Sequence, residues 1–311
     1  MDFLRLLEQI RVPGLNECML LITHLGEETA FLAVALLFYW CVNKREGYYI
    51  LGVGFFGTIA NQFLKLVFRV PRPWVLDPQF TIVEQAREAA AGYSFPSGHT
   101  QSAVGVFGAI ARSTKIAWLR AVCVAVAVLV PFSRMYLGVH TPADVGVAAV
   151  MAVALVFLLR PVVMGGDGKY IPWMFGVMLL FATAFLCYVE FFPFPADVDM
   201  ENLQSGVKNA YTLLGALLGM LAAYAVDEKW LHFPTKAVWW AQMLKLTLGI
   251  ALVLAVQNGL RAPLDALFAG HMAARALRYF LIVIVAGIIW PMTFRWFAAL
   301  GSRPSTQEEA T

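Results

Sequence analysis

Ser94-Phe95-Pro96-Ser97-Gly98-His99-Thr100 is a polar turn that runs straight into an apolar stretch ending before Arg112-Ser113-Thr114-Lys115. Ser97-Gly98-His99 falls where that apolar helix begins. A helix start offers free N–H groups and a partial positive charge. The turn therefore places polar residues at the mouth of a membrane-crossing helix, and apolar runs of similar length recur on both sides of it.

Composition agrees. The 311 residues are 60% hydrophobic and 14% charged, against roughly 25% charged in a soluble domain. The apolar runs are much longer than the ~10-residue alternating strands of a membrane barrel, so the fold class is all-α, a polytopic transmembrane helical bundle. A net charge of +3 without a basic run gives no reason to expect nucleic acid as a partner. Cys18, Cys41, Cys123 and Cys187 are scattered in apolar segments, with no metal-ligand spacing. Residues 1–11 carry charges among apolar residues and do not read as a signal peptide. Phe3, Leu4, Leu6, Leu7 and Ile10 fit either a short amphipathic helix on the membrane or a plain helix before the first span.

Taken in order, spans are expected at 28–42 (with a start as early as Met19), 48–68, 98–111, 116–132, 145–159, 171–192, 207–226, 237–257 and 277–298, about nine in all. His24, Glu27 and Glu28 either contact a headgroup or mark the membrane rim; the rim is the simpler reading, because a charge at mid-bilayer costs about 2.5–3.5 kcal/mol or more. Trp173, Trp230, Trp239, Trp240, Trp290 and Trp296 lie near span ends, as an aromatic belt would. Alternating spans put Lys44, Arg45, Arg112, Lys115, Arg120, Arg160, Lys169, Lys229, Lys236, Arg295 and Arg303 on one side, which the positive-inside rule makes cytoplasmic; Arg261, Arg275 and Arg278 oppose the scheme. The polar motifs then share the extracytoplasmic face.

Three segments hold the polar chemistry: 65–73, 94–100 and 133–144. Breaking a phosphate ester needs the non-bridging oxygens neutralised and an in-line attack. Lys65, Arg72 and Arg134 supply three cations, arginine gripping phosphate oxygens in pairs and lysine acting as a point charge. Pro71 and Pro73 restrict the backbone around Arg72. Gly98 lets backbone approach an anion, Ser97 adds a hydroxyl donor, and His99 is placed to protonate a departing oxygen. His140 and Asp144 are four apart; on a helical start they face one another, and a carboxylate on one imidazole nitrogen leaves the other free to attack. Alone, either histidine reads more simply as a satisfied interfacial residue. It is the gathering of costly ionisable groups into three clusters on one face that favours function.

Lys65-(six residues)-Arg72-Pro73, Pro96-Ser97-Gly98-His99 and Ser133-Arg134-(five residues)-His140-(three residues)-Asp144 together resemble the three-part signature of the type 2 phosphatidic acid phosphatase superfamily. The resemblance covers roughly Lys44 to Leu159. Apolar runs over 193–300 make about three additional spans of unassigned role, and 301–311 reads by composition as a polar disordered tail, whereas the resemblance implies a six-helix core over residues 1–192. It further implies metal-independent hydrolysis of a membrane lipid phosphate monoester or diphosphate, without a cofactor. By motif matching, His140 is the nucleophile, Asp144 its partner and His99 the general acid. Lys65, Arg72, Ser97, Gly98, Ser133 and Arg134 bind phosphate. Transfer of the phosphate to a lipid or alcohol, and non-catalytic binding or transport of a lipid phosphate, are the competing readings. The compact loops point to a bacterial inner membrane; the oligomeric state is not legible.

Overall fold

A computed structural model describes residues 1–300; the expected tail, 301–311, lies outside the described residues. Among the described residues every regular element is helical. Two short helices open the chain, α1 (Asp2–Gln9) and α2 (Pro13–His24). α3 (Glu28–Leu37) continues into a π-helical turn, Phe38–Val42. Then come α4 (Lys44–Phe68), the single turn α5 (Pro73–Leu76), α6 (Gly98–Ser113), α7 (Ala117–Tyr136), α8 (Pro142–Met164) and α9 (Ile171–Phe191). α10 (Met200–Val226), α11 (Trp239–Gly259), α12 (Arg261–Leu267), α13 (Ala273–Ile284) and α14 (Phe294–Ala299) complete the bundle.

Local chemistry sets the helix starts. The Asn43 side chain accepts from the Arg45 and Glu46 N–H groups at 2.9 and 3.3 Å and so opens α4. Asp199 does the same for α10, accepting from Glu201 and Asn202 at 3.0 Å. α8 has Pro142 in its first turn and a reciprocal cap between Thr141 and Asp144.

Among the described residues seven helical stretches are long and apolar enough to cross a membrane; α2 and α3, bent by 49°, make an eighth if taken as one broken span. The difference from about nine lies in length. α3 with its π-turn has 10 and 5 residues, and α6 has 16. At about 1.5 Å per residue α6 measures about 24 Å, short of a ~30 Å hydrocarbon layer.

Apolar side chains such as Val150 and Leu180 point outward, 70% and 66% exposed, as a lipid-facing surface requires. Inside, small residues let helices touch. A Cβ on Gly57 of α4 would fall 1.4 Å from the Gln101 amide of α6, and one on Gly215 of α10 would fall 2.0 Å from the Ala276 carbonyl of α13. Trp173, Trp230, Trp239 and Trp296 are exposed near helix ends, as a belt predicts, whereas the Trp290 indole turns inward and donates to the Lys245 carbonyl at 3.2 Å.

The helices after residue 193 are bound to the earlier ones at the end remote from the three motifs. The Trp40 indole donates to the Ala286 carbonyl at 2.9 Å. Lys44 donates to both Asp227 carboxylate oxygens, at 2.8 and 2.6 Å, and stacks over Phe233 at 3.7 Å. Asp227 is buried, so losing it strands a largely desolvated ammonium, at a cost of about 3 kcal/mol. Asp227→Ala is expected to lower the Tm of the detergent-solubilised protein by several degrees. Asp167→Ala, at a fully exposed partner of Arg45, is expected to leave it within error; thermal unfolding followed by intrinsic fluorescence checks both.

Candidate active site

The C-terminal turn of α4, the 69–93 connection, the start of α6, the end of α7 and the start of α8 converge at one end of the bundle. They border a cavity of about 500 Å³ lined by Lys65, Arg72, Gly98, His99 and His140, among others. The three sequence motifs therefore meet there.

Asp144 is the most heavily engaged group. Its Oδ2 accepts from the Ser94 hydroxyl at 2.6 Å and from the Thr141 N–H at 2.7 Å, and lies 3.5 Å from Nδ1 of His140. Its carbonyl accepts from the Ser97 N–H at 3.1 Å, joining the start of α8 to the start of α6. On the other side of the ring, Nη1 of Arg72 donates to Nε2 of His140 at 2.9 Å. A guanidinium can only donate, so Nε2 carries the lone pair and Nδ1 carries the proton turned toward Asp144. Burial, followed by the nearby Arg72, Arg134 and Lys65, holds the His140 imidazole well below its usual range and thus neutral near pH 7. The arrangement is a buried imidazole with its Nε2 lone pair on the side of the cations and its Nδ1 on the side of a carboxylate.

The cations are held mainly by backbone carbonyls. Lys65 donates to the Tyr93 carbonyl. Arg72 donates to the carbonyls of Gly92, Val139 and Ala91 at 3.0, 2.9 and 2.9 Å. Gly92, at φ +76°, and Gly138, at φ +84°, take the left-handed turns that aim this part of the chain inward. At Gly138 a Cβ would also lie 2.8 Å from the Arg11 guanidinium. Carbonyls satisfy hydrogen-bond donors without cancelling charge, so the positive potential is kept for a ligand. Arg134 is fully buried; Nη1 donates to the Thr23 hydroxyl at 2.9 Å, while Nε and Nη2 have no partner. Three cations beside a single buried carboxylate form an anion site.

The remaining expected residues are placed as follows. Ser97 caps α6, its Oγ accepting from the Thr100 N–H at 3.3 Å. A Cβ on Gly98 would meet nothing closer than Asn61 Oδ1 at 3.9 Å, so this backbone stands open. His99 lines the cavity, and its Nε2 is buried without a partner. Ser133 is turned away: its hydroxyl donates to the Val130 carbonyl at 2.7 Å inside α7.

Other residues enter the site that the sequence left without a role. Ser94 sits inside the motif and binds the key carboxylate. Thr23 reaches Arg134 from α2. Asn61, one turn before Lys65, donates to the Pro96 carbonyl at 3.2 Å and bridges α4 to the turn. Glu27 and Glu28, expected at the rim, line the cavity, as do Asn202, Ser205 and Asn209 of α10. Their signal in the sequence is only the 3- and 4-residue spacing of polar groups on an otherwise apolar helix.

Among the described residues no three His, Cys, Asp or Glu side chains converge as a metal-ligand set. Chemically, the arrangement can take up a tetrahedral oxyanion, attack it from Nε2 of His140, and meet the departing oxygen with His99.

Comparison with known proteins points the same way. Residues 45–165 match the PAP2 superfamily, and residues 211–303 match the transmembrane extension of PAP2 superfamily phosphatases. The undecaprenyl-diphosphatase BcrC of Bacillus subtilis is 31% identical over 131 residues, 42% of this chain and 64% of that protein, just under two thirds of its length. Phosphatidylglycerophosphatase B of the same organism is 30% identical over 166 residues, covering 49% of this chain and 76% of that protein. An undecaprenyl-diphosphatase of Sulfolobus acidocaldarius is 26% identical over 147 residues, 46% of this chain and 68% of that protein. No solved structure matches. With the matched segment enclosing both catalytic-type histidines and all three cations, this integral membrane protein belongs to the PAP2 superfamily.

Proposed function

We propose that the protein hydrolyses a membrane lipid phosphate monoester or diphosphate through a phosphohistidine on His140. The observation that carries this reading is the placement of that ring between Arg72, which donates to Nε2, and the Asp144 carboxylate, 3.5 Å from Nδ1. The Nε2 lone pair attacks phosphorus as the ester P–O bond breaks, and His99, which takes up the proton of the entering phosphate monoanion, delivers it to the departing oxygen. His99, now neutral, takes a proton from water as that water attacks the phosphohistidine. The P–N bond breaks, and inorganic phosphate and the starting histidine are regenerated. Lys65, Arg72 and Arg134 neutralise the phosphoryl oxygens throughout, and the open start of α6 at Ser97 and Gly98 adds N–H donors. Ser133 would support this site through α7, since its hydroxyl is engaged within the helix. Arg72 occupies the Nε2 lone pair in the unliganded site, so phosphate entry requires it to swing from ring nitrogen to phosphate oxygen.

The extracytoplasmic location is part of the proposal. Lys44, Arg45, Arg112 and Lys169 lie at the bundle end remote from the cavity, and the positive-inside rule makes that end cytoplasmic. A bacterial inner membrane fits the two Bacillus relatives.

His140→Ala is expected to reduce phosphate release by at least about 10³-fold, and Asp144→Asn by about 10²-fold or more through loss of ring orientation. Release by the parent is expected to persist in excess chelator. A colorimetric phosphate assay in detergent micelles measures all three, and a His140→Ala variant as active as the parent would overturn the reading. His99→Ala should lose about 10²- to 10⁴-fold on an alkyl lipid phosphate but little on a nitrophenyl phosphate, whose leaving group departs unprotonated. Equal losses on both substrates would remove His99 as the acid.

A further inference from the structure

The cavity has a wall that the chemistry above does not use. One part is the break between α2 and α3, where Glu27 and Glu28 line the cavity. This segment passes directly over the start of α6: a Cβ on Gly26 would fall 2.9 Å from the His99 carbonyl. The other part is the first turns of α10, where Asn202, Ser205 and Asn209 line the same space. Their spacing of three and four residues makes one stripe on the helix. Gly206, within that stripe, packs so closely on α4 that a Cβ would lie 2.5 Å from Leu66, the neighbour of Lys65.

The side chains of Asn202, Ser205 and Asn209 make no hydrogen bond within the protein among the described residues. In a membrane helix, polar groups with unspent donors and acceptors are costly toward lipid. Here they face a cavity, where a ligand can use them. The acidic part has a different character. Glu27 receives His24 Nδ1 at 2.6 Å and the Thr29 hydroxyl at 3.4 Å. Glu28 makes no ion pair within 4 Å; Arg275, the cation that acts on it, is occupied by the Lys208 carbonyl and the Thr212 hydroxyl at 3.1 and 2.7 Å.

We propose that this wall sets the leaving-group specificity, favouring a phosphate monoester on a neutral, hydroxyl-bearing headgroup over a lipid diphosphate. The inference rests on the phosphatase reading, in which the departing oxygen leaves toward His99 and so toward the Gly26–Glu28 segment. A glycerol-type headgroup there donates its hydroxyls to the carboxylates and exchanges hydrogen bonds with the α10 amides and hydroxyl. A diphosphate instead brings a second, negatively charged phosphate against two carboxylates, where like charge disfavours binding. The first helix beyond residue 193 is then a part of the substrate site and not only a membrane anchor.

The test compares kcat/KM for a glycerol-bearing lipid phosphate monoester and for farnesyl diphosphate in the same micelles. The parent is expected to favour the monoester at least tenfold. Glu27→Gln with Glu28→Gln is expected to shift the ratio about tenfold toward the diphosphate. Asn202→Ala with Asn209→Ala is expected to lower kcat/KM for the monoester about tenfold, chiefly through KM, and that for the diphosphate less than threefold. The glutamine pair keeps side-chain size, so it decides the matter even where the alanine pair fails to fold. A parent that prefers the diphosphate, or ratios unmoved in the folded variants, overturns the inference while leaving the phosphatase reading intact. Release from neither lipid by the folded parent overturns both.

Discussion

Everything at the active end depends on the carboxylate of Asp144. One oxygen closes the cap of α8 through Thr141, binds the Ser94 hydroxyl and faces Nδ1 of His140. The residue's own carbonyl holds the start of α6. A helix cap normally stabilises by about 1 kcal/mol; here the same atoms also fix a tautomer and bring together two helix starts that are far apart in sequence. The capping residue and the orienting residue are one, so the ring cannot be oriented without the helix being properly begun.

Around that carboxylate the charge is deliberately unbalanced in space. Lys65 and Arg72 donate to carbonyls from the 91–93 segment and from Val139, whereas Arg134 has Nη1 on a threonine hydroxyl and, among the described residues, Nε and Nη2 without a partner. Buried cations normally demand counter-charges. Only one of the carboxylates there, Asp144, is buried among the three cations, while Glu27 and Glu28 line another part of the cavity wall, so an anion can complete the cation set, which is the electrostatic preorganisation expected of a phosphate site. The 91–93 loop therefore matters through its backbone, whose carbonyls fix two of the cations without neutralising them.

Much of this was legible in the sequence. Helix positions followed from long apolar runs, and the spacing of Lys65, Arg72, His99, Arg134, His140 and Asp144 marked the site, because charged side chains in an apolar chain have few bland explanations. The convergence of the motifs followed from the even number of spans between them. What stayed hidden depended on tertiary closeness. The 49° break between α2 and α3 brings Glu27 and Glu28 to the cavity wall, and no local pattern at Gly26 announces that bend. Ser133 carries the motif yet bonds within its own helix, a rotamer choice that spacing does not reveal. α3 and α6 fall short of full spans, α3 passing into a π-turn after Leu37 and α6 beginning only at Gly98, in the site. The polar stripe of α10 reads as an ordinary helix start until Gly206 is seen packed on Leu66.

The measurement that tests the central claim most directly is identification of the phosphorylated atom. The protein would be mixed with a radiolabelled lipid phosphate, quenched in alkali within milliseconds to spare an acid-labile P–N bond, and mapped by peptide mass spectrometry and phosphoamino-acid analysis. Because Arg72 marks Nε2 as the lone-pair nitrogen and Asp144 faces the other, the label is expected on Nε2 of His140. Label on Nδ1, on Ser97 or on Asp144, or turnover with no covalent label at all, would contradict the account.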